Sequence, residues 1–214
     1  MRDFDKDILY CLGYGENKPD EKTKALIEKI KNDTVSRLQP KAVHGTFHTE
    51  NLVFSGNDIK EHLNGAEQCI LFAATLGAES ERLSVLYQKT DMEKAVIFDC
   101  VCDAYIEAFS DEYCDNLLRE YRQQGLYLNT RYSPGYGDFD IQHQKEFITL
   151  LNCERSIGLT VNESSVLLPR KSITGVIGIF SFPPKGKTRG CAACNMFKTC
   201  KMKGKGKCLR QTDF

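Results

Sequence analysis

No stretch of this 214-residue chain runs through enough consecutive apolar residues to approach membrane-spanning length. Its first residues, Met-Arg-Asp-Phe-Asp-Lys-Asp, contain no apolar signal core. These absences predict a cytoplasmic protein with no membrane partner. The chain also has no internal repeat, and its predicted strands and helices interleave without a regular β-α-β alternation. That pattern favours an α+β domain over a doubly wound sheet. Acidic side chains are missing altogether between Lys185 and Arg210, where seven lysines and two arginines fall. The balance of 29 basic and 29 acidic residues therefore hides an asymmetry, with 20 basic against 28 acidic side chains in residues 1–184. An acidic body carries a basic tail, which suits an acidic partner, nucleic acid or a phosphate-bearing cofactor.

The length fits one domain with a short appendage, and 41% hydrophobic with 27% charged residues is ordinary soluble composition. Pro183-Pro184 ends the body, so the division is a domain over 1–184 and a cysteine-rich tail over 185–214. The tail has too few large apolar residues for a core of its own. In a cytoplasmic setting the ten cysteines are expected to be mostly thiols or metal ligands rather than disulfides.

Along the body, Leu26, Ile30, Thr34 and Leu38 recur at four-residue steps and predict an amphipathic helix. Residues 42–54 predict extended structure, and Ser55-Gly-Asn-Asp offers caps for a short helix around Ile59 to Leu63. Cys69-Ile-Leu-Phe-Ala-Ala reads as a buried strand that turns at Thr75-Leu-Gly77 into a helix. The longest helical pattern covers 91 to about 122, with Ala95, Cys102, Ile106, Phe109, Tyr113 and Leu117 on its apolar face. A further helix is predicted over 142–156. Ser172-Ile-Thr-Gly-Val-Ile-Gly-Ile-Phe-Ser reads as a strand whose glycines leave room for a ligand or another backbone.

Three constellations carry chemistry. Arg131-Tyr-Ser-Pro-Gly-Tyr136 sets a guanidinium fork, a tight turn and two phenols within six residues, which suits a small carboxylate-bearing molecule. Asp99, Asp103 and Glu107 lie at successive four-residue steps on one face of the long helix. Such a stripe is either a solvated face or an acidic wall opposite Arg131, matching a ligand with a carboxylate and an ammonium or sulfonium group. Cys191, Cys194, Cys200 and Cys208 form a C-x2-C-x5-C-x7-C pattern that predicts a metal over free thiols. Four thiolates without histidine suit structural zinc or a 4Fe-4S cluster, and surrounding cations lower thiol pKa values. His44 and His48 fall in a β-prone stretch and are expected to be surface or packing residues. Cys69, Cys100, Cys102, Cys114 and Cys153 read as small core residues.

Glu107-Ala-Phe, then Arg131-Tyr-Ser-Pro-Gly-Tyr136, then Leu159-Thr160 through Pro169-Arg-Lys-Ser172-Ile-Thr-Gly175 resembles the activation domain of cobalamin-dependent methionine synthase. Leu12-Gly13, Thr75-Leu-Gly77 and Asp103-Ala are similar to stand-alone members. The likeness spans roughly residues 5–182 and omits the tail. It implies a twisted antiparallel sheet with flanking helices that binds S-adenosylmethionine beside a corrinoid. Oxidised cobalamin would be reduced by one electron and remethylated from S-adenosylmethionine. By motif, Arg131 would bind the methionine carboxylate, the backbone at Ser133 and Gly135 would contact the ligand, Tyr136 would pack on it, and Glu107 would accept from its polar groups. Cobalamin would sit on a partner, because no Asp-x-His-x-x-Gly run occurs in this chain. The partner would be a corrinoid-binding methyltransferase or methionine synthase subunit, with a flavodoxin or ferredoxin as electron donor.

The C-x2-C-x5-C portion of the tail resembles segments that hold auxiliary 4Fe-4S clusters, and such a cluster fits a one-electron task, with zinc as the alternative. Two departures support a different class of function. Residues 125–130 contain no acid before the arginine, and no tyrosine follows Tyr136. The alternative is a non-catalytic interaction module that uses its basic metal-binding tail to hold a protein or nucleic-acid partner. Nucleic acid is the less favoured of the two, since Phe197 alone interleaves with the cysteines.

Overall fold

Apolar residues at every position from Cys69 to Ala74 require a strand covered on both faces, and the observed architecture supplies both covers. The computed structural model describes residues 2–15 and 17–184. In chain order the elements are α1 (Asp5–Cys11), α2 (Glu21–Arg37), β1 (Lys41–His48), a 3-10 turn (Thr49–Asn51), α3 (Asn57–His62) and β2 (Gln68–Thr75). There follow α4 (Ala78–Thr90), α5 (Met92–Gln123), β3 (Tyr127–Leu128), α6 (His143–Leu150), α7 (Cys153–Ile157), β4 (Thr160–Val161), β5 (Leu167–Leu168) and β6 (Ser172–Phe180). Four strands form one antiparallel sheet in the order β1-β2-β6-β3, and β4 pairs with β5 as a separate two-stranded ribbon. This is the expected α+β architecture with flanking helices.

The two-residue period of β2 divides its side chains between two cores. Phe72 and Ala74 join the cluster beneath α5, which also takes in α1, α2 and α4 through Ile8, Ile30 and Leu83. Cys69, Leu71 and Ala73 face the opposite cluster with Phe147, Cys153 and Leu159 from the α6 and α7 side. Ile70 meets Leu117 of α5 together with Ile177 and Ile179 of β6. The 32-residue α5 thus lies across one face of the sheet, and Asp91 caps its start by accepting from the Lys94 amide at 3.0 Å.

Several expectations are refined. The helix expected over 142–156 is two helices, because Asn152 takes a left-handed conformation at φ 48° that asparagine tolerates. Extended structure ends at His48 rather than at 54. The first turn of α3 is capped not from within Ser55-Gly-Asn-Asp but by Asp138, whose carboxylate accepts from the Asn57 amide at 2.6 Å and the Asp58 amide at 2.9 Å. Cys100 is not a free core thiol: it forms a disulfide with Cys11 that ties α1 to α5, an exception to the expectation of mostly thiols. Hydrophobic burial had located Cys100 correctly, but no local signal identifies a partner 89 residues away. Cys69, Cys102 and Cys153 are buried thiols whose pKa values burial pushes up to about 12, consistent with inert packing.

His62, in the last turn of α3, packs against the Tyr132 ring at 5.2 Å, and its Nε2 is buried without a hydrogen-bond partner. Burial pushes its pKa down to about 4, against backbone contacts with Val176 and Thr130 that pull the other way. The unfolded chain therefore takes a proton that the folded chain refuses. The His62 contribution is complete above the ordinary value of 6.5 and is lost as pH falls towards 4. Between neutral pH and about pH 5, wild type should lose about 2 kcal/mol more stability than His62→Gln. Urea unfolding of both proteins across that range checks this, and equal losses would contradict it.

Candidate active site

Arg131 follows β3 on the edge of the sheet, where the Tyr132 amide donates to the Val176 carbonyl at 2.9 Å and the Val176 amide returns a bond at 2.8 Å. This register sends Tyr132 towards the α6 side and Arg131 towards α5. Gly175, which pairs with Phe72, lies beneath the arginine. A Cβ at residue 175 would overlap Arg131 Cγ and stand 3.0 Å from its Cδ. The missing side chain is therefore what lets the arginine stem lie flat on the sheet. The guanidinium carbon is 5.8 Å from the centre of the Phe72 ring.

From that bed Arg131 meets α5. Its Nη2 donates to Glu107 Oε2 at 2.6 Å and lies 3.7 Å from Asp111 Oδ1. The residue is only 5% exposed, yet Nε and Nη1 have no hydrogen-bond partner. A buried guanidinium with unused donors is costly unless something takes them. Asp111 in turn lies 3.4 Å from Arg2 Nε through its other carboxylate oxygen. Further along the same stripe, Lys171 Nζ contacts Asp103 at 2.6 Å and Asp99 at 2.8 Å. Burial raises the Asp103 carboxyl above its usual range, with Lys171 opposing. Burial also works against the Lys171 ammonium, but Asp103 and Asp99 hold its pKa above the ordinary value. The stripe is thus neither simply solvated nor aimed at Arg131 alone. Asp99 and Asp103 pair with Lys171, and Glu107 pairs with Arg131.

Ser133-Pro-Gly-Tyr136 forms the anticipated tight turn, with the Tyr136 amide donating to the Ser133 carbonyl at 3.3 Å and Gly135 at φ 90°. The Gly135 amide donates to the Phe139 carbonyl at 2.8 Å, and the Tyr132 hydroxyl to the Tyr136 carbonyl at 3.0 Å. Ser133 is buried, and its Oγ lies 3.4 Å from the Cβ position at Gly175, close to the arginine stem. Glu107, Arg131 and Ser133 therefore come together. Tyr136 is 55% exposed at the end of the turn. Cys191, Cys194, Cys200 and Cys208 lie outside the described residues.

Sequence reasoning did not single out Asp111 or Arg2. Asp111 had a signal, because it continues the four-residue step from Asp99, Asp103 and Glu107. Arg2 had none, since only the fold brings it to Asp111.

His143 makes a second constellation beside the turn. Its Nε2 accepts from the Ser55 amide at 3.0 Å and the Ser55 hydroxyl at 2.9 Å. An amide can only donate, so the ring proton sits on Nδ1, 3.2 Å from Glu146 Oε2. The order of groups is that of a nucleophile, base and acid. The first-turn amides of α3 that would stabilise an oxyanion are nevertheless taken by Asp138. The histidine works as a clamp joining α6 to the segment before α3. His44, by contrast, is a surface residue whose Nδ1 is 2.8 Å from the Tyr113 hydroxyl.

Replacing Gly175 by alanine should lower the stability by about 1–3 kcal/mol, because the added methyl and the arginine stem compete for one place. In an Arg131→Ala background the same change should cost little. Urea midpoints for the two single variants and the double variant test this, and additive losses would refute the close-approach account.

Among the described residues no helix is long and apolar enough to cross a membrane. No group of three or more His, Cys, Asp or Glu side chains within them is arranged to hold a metal ion. No curated protein matches the chain. A solved structure titled "Crystal Structure of the MetH Reactivation Domain bound to AdoHcy" shares its fold, with a TM-score of 0.55 and 18% identity, over 83% of this chain and 70% of that one. The family described as "Vitamin B12 dependent methionine synthase, activation domain" matches residues 49–184, which include Glu107, Arg131, Ser133, Gly135 and Tyr136. The chain belongs to the family of vitamin B12-dependent methionine synthase activation domains.

Proposed function

We propose that this chain is a stand-alone corrinoid reactivation subunit, which binds S-adenosylmethionine and supports reductive remethylation of cobalamin on a separate corrinoid protein. The observation that carries the reading is the Arg131 fork, 5% exposed, with Nε and Nη1 unpartnered while Nη2 is held by Glu107. Those donors fit a carboxylate, which is the group that repays a buried guanidinium best. S-adenosylmethionine adds an ammonium and a sulfonium to its carboxylate and so carries one net positive charge. The Glu107 and Asp111 carboxylates beside the fork suit those two cationic groups.

In this reading Arg131 orients the methionine end, Glu107 accepts from its polar groups, and the backbone around Ser133 and Gly135 contacts the ligand. Tyr136, a residue 55% exposed, packs on the ligand. The bound ligands supply the chemistry: one electron and the methyl group of S-adenosylmethionine restore a methylated corrinoid and leave S-adenosylhomocysteine. The protein positions the reactants and keeps the carboxylate end dry. Residues 1–184 would form the ligand-binding domain. The 185–214 tail would hold a metal through Cys191, Cys194, Cys200 and Cys208, as a 4Fe-4S cluster or as zinc. The partner would be a corrinoid-binding methyltransferase or methionine synthase subunit, and the electron donor a flavodoxin or ferredoxin.

Wild-type protein mixed without oxygen with candidate corrinoid proteins, S-adenosylmethionine and a reductant should convert the Co(II) spectrum to that of methyl-Co(III). Arg131→Lys keeps the charge but loses the fork, and should weaken S-adenosylmethionine binding by roughly 10- to 100-fold in calorimetric titration. Absence of saturable binding by wild type, with and without the corrinoid proteins, would remove this reading and leave the interaction module.

A further inference from the structure

The family match begins at residue 49 and so does not include Arg2, yet Arg2 ends in the ion cluster around Arg131. Asp111 is the joint. One of its oxygens lies 3.7 Å from Arg131 Nη2 and the other 3.4 Å from Arg2 Nε. Its side chain is 18% exposed and that of Arg131 4%, so these charges act largely out of water. Arg2 is fixed independently by Asp7 in the first turn of α1, at 2.5 Å. Its Nη2 is also a buried donor without a partner. Two guanidiniums thus divide one carboxylate, and α1 holds one of them in place.

That sharing has consequences for Arg131. Without Arg2, one positive charge beside Asp111 would be lost, and the Asp111 carboxylate would add more of its field to that of Glu107 at Arg131. The field at the fork would become more negative, which opposes an incoming carboxylate. With Arg2 present, part of the Asp111 charge is neutralised and Arg131 keeps net positive character along its unused Nε and Nη1.

We propose that Arg2 is a positioning residue of the ligand site, acting through the shared Asp111 carboxylate to set the orientation and the field of the Arg131 guanidinium. The segment before α1 is then part of the site. Residues 125–130 carry no acid, so control of the arginine falls to α5 and to Arg2. The ligand class is a zwitterion or cation bearing one carboxylate.

Two readings test this on the full chain. The first, which needs no ligand, is the Nε–Hε correlation of Arg131 in ¹⁵N-arginine NMR, assigned by its loss in Arg131→Lys. It should move in Arg2→Gln and in Asp111→Asn. The second rests on the S-adenosylmethionine reading above. Arg2→Gln should weaken calorimetric binding by about five- to tenfold, and Arg2→Lys, which keeps the charge beside Asp111, should restore most of it. An unmoved Arg131 resonance in Arg2→Gln overturns the proposal whatever the binding result. Unchanged affinity in Arg2→Gln overturns it too. So does a loss accompanied by a lowered melting temperature that Arg2→Lys does not repair, because that assigns Arg2 to the docking of α1 alone. A moved resonance in a wild-type background that binds no S-adenosylmethionine sinks the functional reading and leaves the positioning of Arg131 standing.

Discussion

The ion pair between Arg131 and Glu107 sets the demands that the rest of this domain meets. A guanidinium 5% exposed is tolerable only with a carboxylate at hydrogen-bond distance, and Glu107 stands at 2.6 Å. The arginine comes from the chain after β3 and the glutamate from α5, so the pair fixes the helix relative to the sheet edge. It also fixes two residues that carry no charge. Gly175 must be bare because the arginine stem occupies its Cβ position, and Phe72 across the ladder offers its ring to the cation. One electrostatic requirement thereby accounts for a glycine and an aromatic on neighbouring strands.

The acids of α5 would repel one another at four-residue spacing if left alone. They are instead met by cations from three different segments. Arg2 precedes α1, Arg131 follows β3, and Lys171 begins the approach to β6. The contacts differ in energetic weight. Lys171 bridges Asp99 and Asp103, which are 52% and 55% exposed, so solvent screening limits its contribution to the modest range of surface pairs. Arg131 and Asp111, at 4% and 18%, lie where screening is weak and where breaking one partner leaves a charge stranded. The stripe thus grades from a solvated end near Asp99 to a dry end near Asp111, and the ligand donors sit at the dry end.

Much of this was legible in the sequence because it rests on local pattern. The continuous apolar run of β2, the heptad-like face of α5 and the Pro-Gly turn each follow from neighbours within a few residues. The acidic stripe was legible as a stripe, though its division between Lys171 and Arg131 was not, since that depends on where β6 begins relative to α5. Glu107 was set opposite Arg131 in one of two readings of the stripe, and the family resemblance placed both on one ligand. Their contact across 24 positions has no local signature. The helix break at Asn152, the Asp138 cap on α3 and the Cys11–Cys100 disulfide escaped for related reasons. The last two are choices that a distant segment decides: Asp138 reaches α3 from some 80 positions away, and several cysteines were apolar enough to be buried.

The turn from Ser133 to Phe139 is held more firmly than its exposed position suggests. Asp138 ties it to the start of α3, and the Asp138 amide donates back to Asp58 at 3.3 Å. The Gly135 amide bonds to Phe139, and Tyr132 closes over the loop onto the Tyr136 carbonyl. Just beyond it, His143 is clamped by Ser55 and faces Glu146. The backbone of such a loop is already ordered, so little ordering remains when a ligand arrives. The adjustable parts are the long side chains of Arg131 and Glu107, whose charges must be shared out again to admit a carboxylate. A rigid turn beside a redistributable ion cluster divides the work of recognition: the backbone supplies shape, and the cluster reads charge. Discrimination among ligands of similar shape then falls on the cluster, whose net charge depends on a residue as remote in sequence as Arg2.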